Sequence, residues 1–220
     1  MEEKQNLEVG HGRMIGLNDS RREDPDNFRV IFGLFNQSEQ ETDTTQHVDL
    51  DLIIRHERWI PDPYKGFPND IALMRLVEPA NITLPHVEKA CLPTINDMNF
   101  TGEECWISGW GKTNWTDDFI PEILQEGLVD SISNEECNEI HFGFIRDTHI
   151  CAGTGTPNAC SGDSGGPMHC YKDGVWYAVG ITSWGIVTCR TLPPVYTRIS
   201  KYWEWIVANM LANPPPELDY

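Results

Sequence analysis

Residues 157–167 read PNACSGDSGGP and set a serine, Ser164, among glycines and directly after an acid, Asp163. A serine hydroxyl is a poor nucleophile at neutral pH. It becomes an effective one only when a general base within hydrogen-bond reach takes its proton and a third group holds that base. The chemistry on offer is nucleophilic catalysis, and the rest of the chain must supply both partners. The histidines from which a base could come are His11, His47, His56, His86, His141, His149 and His169.

Holding such groups in register needs a sizeable core, and 220 residues give room for one large domain or two small ones. Short β-rich runs recur between Gly, Pro, Asn and Asp: FRVIFGLF (28–35), HVDLDLIIRH (47–56), IALMRL (71–76), CWISGWG (105–111), ILQEGLVDSI (123–132), PMHCY (167–171), WYAVGITSWG (176–185) and VYTRIS (195–200). That spacing predicts an all-β fold, an antiparallel barrel or sandwich. Only the C-terminal end reads as a helix. There Trp203, Ile206, Val207 and Met210 fall at i, i+3, i+4 and i+7, a stripe expected to face the core. NPPPELDY (213–220) then ends the helix and reads as a tail. The first 25 residues are polar and show no strand pattern.

The charge balance narrows the partners. Sixteen Lys+Arg against 34 Asp+Glu give a formal net charge of -18, which repels nucleic-acid backbones and anionic membranes. No run approaches the roughly 18 apolar residues that span a bilayer, and MEEKQNLEVGHG lacks the basic start and apolar run of a secretion signal. Yet the seven cysteines, at 91, 105, 137, 151, 160, 170 and 189, imply disulfides and an oxidising compartment. Their spacing has no paired C-x-x-C, so no zinc site is expected, nor any cofactor. Sequons at Asn18, Asn36, Asn81, Asn99 and Asn114 fit a secreted glycoprotein.

GDSGGP (162–167), NDIALMRL (69–76), CWISGWG (105–111), ICAG (150–153), ITSWG (181–185) and VYTRIS (195–200) occur in one order along the chain. Together they make the chain resemble the chymotrypsin-like (trypsin-like) serine endopeptidases from about residue 26 to about 212. The resemblance implies two antiparallel six-stranded β-barrels and a C-terminal helix. The first barrel would occupy about 26–95, the second about 100–200 and the helix about 201–212. It implies Ser164 as nucleophile and Asp70 as the acid that orients a histidine. The backbone N–H groups of Gly162 and Ser164 would form the oxyanion hole. It pairs Cys105 with Cys170, Cys137 with Cys151 and Cys160 with Cys189, which leaves Cys91 unpaired. Protein or peptide substrates and protease inhibitors are the partners it implies, for a secreted monomer.

The chain also departs from the family. The family histidine sits in an AAHC motif ahead of the strand that FRVIFG resembles, and no such motif is present. Of the seven histidines, only His11 lies on the correct side at a tolerable distance, and VGHGRM lacks the flanking Ala-Ala and Cys. GRMIG (12–16) resembles a degenerate activation site, after which a new N-terminus would pair with Asp163. We expect a skip of about 40 residues between Gly16 and Leu17, the length of several short strands, from a splice variant or an incomplete gene model. The first barrel is then expected to be incomplete, with unpaired edges, while the second stands.

Six residues before Ser164, at the family's pocket base, is Asn158, which argues against strong preference for Arg or Lys. Gly185 matches an open pocket wall, and Ser183, Trp184 and Gly185 would pair with the substrate backbone. The second wall glycine is replaced by Pro194, preceded by Pro193; the ring either narrows the pocket or stiffens a loop. EQETD (39–43) reads as a solvated acidic loop, because the first calcium-ligand position of the corresponding family loop is Leu34. The resemblance therefore implies a serine endopeptidase whose chain, without its histidine, has little or no activity. A non-catalytic pseudoprotease that binds proteins is the alternative, and a product that never folds stably is a third.

Overall fold

The computed structural model describes residues 24–94, 98–153, 155, 157–185, 189 and 191–215. His11, the GRMIG segment and Asn18 lie outside the described residues.

The first region is an antiparallel sheet of β1 (Arg29–Phe32), β2 (Gln46–Arg55) and β3 (Ala72–Leu76), in that order. In β2, Val48 and Leu50 are buried while Asp49 faces out. There it takes the Arg29 side chain at 2.7 Å across the register partner. The run FRVIFGLF is shorter as a strand than its composition predicts. Gly33 turns the chain at φ 73, and a side chain there would land on the Thr44 carbonyl.

The second region is a closed barrel of six strands: β4 (Glu104–Gly109), β5 (Gln125–Ile132), β6 (His149–Ala152), β7 (Pro167–Lys172), β8 (Val175–Trp184) and β9 (Val195–Arg198). The order β4-β5-β6-β9-β8-β7 returns to β4, so no strand is left with a free edge. Period-2 patterning drives it: in β5, Gly127, Val129 and Ser131 point inward while Glu126, Leu128 and Asp130 point out. Phe100, Ile107, Val129, Ile150, Met168, Val179 and Tyr196 fill the interior. The closing seam between β4 and β7 places Cys105 opposite Cys170, and a disulfide joins them. Cys137–Cys151 and Cys160–Cys189 are the other two disulfides, and the Cys91 thiol is free.

Two helices complete the described fold. α1 (Asn134–Ile140) overturns the expectation that only the C-terminal end is helical. Its seven residues are too few to show a period. The signal was Ser133 three residues before Glu136: the Ser133 hydroxyl accepts the Glu136 N–H at 3.1 Å. α2 (Trp203–Ala212) follows a 3-10 turn, Ile199–Tyr202. Of its predicted core stripe, Ile206 is buried and Trp203 and Val207 are half-buried. Met210 is exposed, because the last turn runs past the surface it packs on. Ile206 joins Ile71, Leu92, Ala178, Ile199 and Tyr202 in the cluster that fastens the sheet to the barrel.

Candidate active site

Ser164 lies in the loop before β7 and is exposed. The loop folds tightly, with Asp163 N–H bonded to the Cys160 carbonyl (3.0 Å) and Gly166 N–H to the Asp163 carbonyl (2.8 Å). Gly162 adopts φ 104, a conformation that a residue with a side chain rarely takes. The Asp163 carboxylate turns inward and accepts the N–H groups of Gly111 and Cys160, each at 2.8 Å. A methyl group at Gly109 or Gly111 would collide with it. Burial pushes the Asp163 carboxyl pKa up, and the two N–H bonds oppose that rise.

Asp70 sits between β2 and β3, yet the barrel holds it. Its Oδ2 accepts the Ser183 hydroxyl at 2.6 Å, and its carbonyl accepts the Thr197 hydroxyl at 2.7 Å. Asn69 before it takes a left-handed φ of 61, fixed by its amide N–H to the Arg58 carbonyl at 2.8 Å. Burial pushes the Asp70 carboxyl up, opposed by the Ser183 hydroxyl. The Trp59 indole N–H opposes the rise in the same sense, facing the carboxylate without a hydrogen bond of normal geometry. The serine loop attaches to the same strand, because Gly165 N–H donates to the Thr182 carbonyl at 2.9 Å. Gly165, next to Ser164, and Asp70 are thus tied to consecutive residues of β8, Thr182 and Ser183.

Six histidines are described, and none hydrogen-bonds Asp70 or Ser164. His47 faces the Gln40 carbonyl (3.1 Å) and Glu41 (3.3 Å). His56 accepts the Arg58 N–H at 3.1 Å and packs on Tyr202 and Trp205. His86 is exposed on a loop. His141 bonds the Pro193 carbonyl at 2.8 Å. His149 accepts the Arg146 N–H at 3.2 Å, and His169 lies on β7. Burial lowers the pKa of His56, His141, His149 and His169, to about 4 for His149.

The expected pocket residues separate into two groups. Asn158 lines a cavity of about 460 Å³ together with Asp163, Thr182 and Cys189, whereas Ser183, Trp184, Gly185 and Pro194 do not line it. Ser183 is engaged with Asp70. Trp184 is flanked by the rings of His141 (4.9 Å) and His149 (6.1 Å). Gly185 faces Pro194 closely enough that a methyl group there would lie 3.7 Å from the Pro194 Cα. Trp59 and the two histidines beside Trp184 were not singled out as site neighbours in the sequence, where no local pattern marks them.

A closed antiparallel barrel whose strand β8 holds both a GDSGG loop and a half-buried aspartate fits a chymotrypsin-type fold. The family model described as Trypsin matches residues 19–206. The chain is 39% identical over 197 residues to fibrinolytic enzyme, isozyme C, of Lumbricus rubellus, covering 84% of this chain and 78% of that protein. It is 36% identical over 186 residues to chymotrypsin-C of Mus musculus and to that of Rattus norvegicus, covering 81% of this chain and 68% of each relative. The chain belongs to the trypsin family of chymotrypsin-like serine proteases.

Proposed function

We propose that this chain carries three parts of a serine endopeptidase site and lacks the fourth. Ser164 is the nucleophile, Gly162 and Ser164 supply the oxyanion donors, and Asp70 is the orienting acid. The base has no counterpart among the described histidines. One observation carries the reading: the Asp70 carboxylate is bonded to Ser183, and His47, His56, His141 and His149 are each bonded elsewhere, while His169 lies on β7 and His86 is exposed. Triad members act as a unit, so loss of the base alone removes most of the rate enhancement. The chain as it stands then has little or no peptidase activity.

Asn158 is the base of the substrate pocket, with Ser183, Trp184 and Gly185 along the substrate backbone and Pro194 at the second wall position, where its ring either narrows the pocket or stiffens the loop. Secretion and glycosylation fit the three disulfides and the sequons. A skipped segment between Gly16 and Leu17 accounts for the lost histidine motif, and a transcript read across that junction tests it.

A fluorophosphonate label tests the catalytic reading. The expected outcome is negligible labelling of purified chain; stoichiometric modification of Ser164 would sink it. The second reading, a pseudoprotease that binds proteins, is favoured by the closed barrel with its three disulfides. It requires a cooperative thermal transition, and a chain that melts without one is no binding module.

A further inference from the structure

Strands β5, β4, β7 and β8 put one row of side chains on the outer face of the barrel. In the β4–β5 ladder Glu104 stands opposite Asp130, and in the β7–β8 ladder Tyr171 stands opposite Trp176. Cys105 pairs with Cys170 and both point into the core, so their neighbours Glu104 and Tyr171 lie side by side and point out. Tyr177 packs against the same core, which turns Trp176 outward as well. The row therefore reads Asp130, Glu104, Tyr171, Trp176, and all four are exposed. Along the strands, at the next outward positions of β4 and β5, Trp106 opposite Leu128 extends it with a half-buried and an exposed apolar side chain.

The apolar content and the charge of this face together set what it takes. The Tyr171 and Trp176 rings meet at 5.1 Å, tilted by 49°, and stay 47% and 46% exposed, with Leu128 at 45%. Single exposed apolar side chains are common, whereas a contiguous group across several strands marks an interface. The charge has one sign. Lys172 is the only Lys or Arg in these strands, and it is bonded to Glu103 and lies over the Phe100 ring, on the side of β7 that Cys170 faces. Among the described residues, Glu104 and Asp130 form no salt bridge. An aromatic face attracts a cation through its ring quadrupole, and an adjacent carboxylate attracts it by charge. An anion is repelled by the carboxylates.

We propose that this face is a docking surface for a basic segment of another protein, one in which Arg or Lys adjoins an apolar residue. A guanidinium is planar, so it stacks on Tyr171 or Trp176 while its N–H groups donate to Glu104 or Asp130. The apolar neighbour covers Leu128 and Trp106. The net charge of -18 draws any cation towards the chain, and the row of carboxylates beside aromatic rings gives it a particular place to settle. The surface goes beyond the catalytic reading and stands without it, since it uses none of Ser164, Asp70 and Asn158.

A short fluorescent peptide of alternating Arg and Leu, titrated with the purified full chain and followed by anisotropy, tests this. Its counterpart carries Glu in place of Arg. The Arg peptide is expected to bind at least about tenfold more tightly than the Glu peptide. Tyr171→Ala with Trp176→Ala, and separately Glu104→Gln with Asp130→Asn, are each expected to weaken it about tenfold. The Gln and Asn variants keep size and shape, so a loss in them is no folding defect. Exposed groups of the same kinds elsewhere serve as controls: Trp115→Ala with Phe119→Ala, and Glu135→Gln with Glu139→Gln on α1. These are expected to change binding by less than about twofold, which separates the row from general attraction to an acidic chain. Equal losses in the row and control variants overturn the proposal. So does a Glu peptide that binds as tightly as the Arg peptide, or an Arg peptide that does not bind the unmodified chain.

Discussion

The two β regions are built to different standards. In the sheet β1–β3, only Val30, Val48 and Leu50 are buried among the strand residues, and all five residues of β3 are half-buried. In the barrel, all four residues of β6 are buried, the strands close on themselves, and one disulfide spans the seam. Among the described residues, no disulfide touches the sheet. The lesson concerns the site. Asp70 lies in the chain of the weaker region, but its side chain and its carbonyl are both held by barrel strands, so its position depends on the stronger one.

The largest test of that contrast is removal of the seam disulfide. Cys105 and Cys170 are separated by 65 residues, and a cross-link over a loop of that length is worth about 4 kcal/mol from chain entropy. Replacing both by Ala is expected to lower barrel stability by about that amount in denaturant titrations. A change under about 1 kcal/mol would mean that the barrel is held by packing alone.

Acid titration comes next. His149 is fully buried with its pKa lowered to about 4, so the folded state favours the neutral ring. A depressed pKa gives stability that is present above the ordinary value, near 6.5, and is lost as pH falls towards 4. The full loss is about 3 kcal/mol, at 1.4 kcal/mol per unit. His149→Met should flatten the pH dependence of unfolding over that interval. An unchanged slope would assign the acid sensitivity to His56, His141 and His169 instead.

A matched pair of truncations sharpens the comparison directly. Met168 is fully buried in the barrel and Val30 is buried in the sheet. Met168→Ala is expected to cost about 3 kcal/mol and Val30→Ala about 1 kcal/mol. Equal losses would mean that the sheet and barrel unfold as one unit with equally packed cores. The smallest effect is that of the α1 cap: Ser133→Ala removes the bond to the Glu136 N–H, for about 1 kcal/mol or less. Because Cys137–Cys151 ties α1 to β6, hydrogen exchange should rise in α1 alone.

The strands were legible because alternation is a local property, and eight runs correspond to eight observed strands; the ninth, β6, stood in the sequence only as the motif ICAG. Their pairing was not. β4 meets β7 across about sixty residues, and the Ser183–Asp70 bond joins positions 113 apart, so only the resemblance could anticipate such contacts. The tight, exposed loop that carries Ser164 was legible from its glycines. Trp59 was not, because its indole reaches Asp70 only after β2 and β3 pair. α1 was missed for want of length, although Ser133 and Glu136 carried its signature. Met210 fits the helical stripe and is nonetheless exposed, since periodicity gives a face but not where the neighbouring surface ends.

The double attachment of Asp70 also bears on the proposed absence of a base. A hydroxyl from β8 holds the carboxylate and another from β9 holds the backbone carbonyl of the same residue. On the proposed reading, a strand-bearing segment that brings a histidine, restored to this chain or supplied by another, would meet an acid already in register. Recovery of catalysis would then be a question of assembly, with no remodelling of the acid's surroundings.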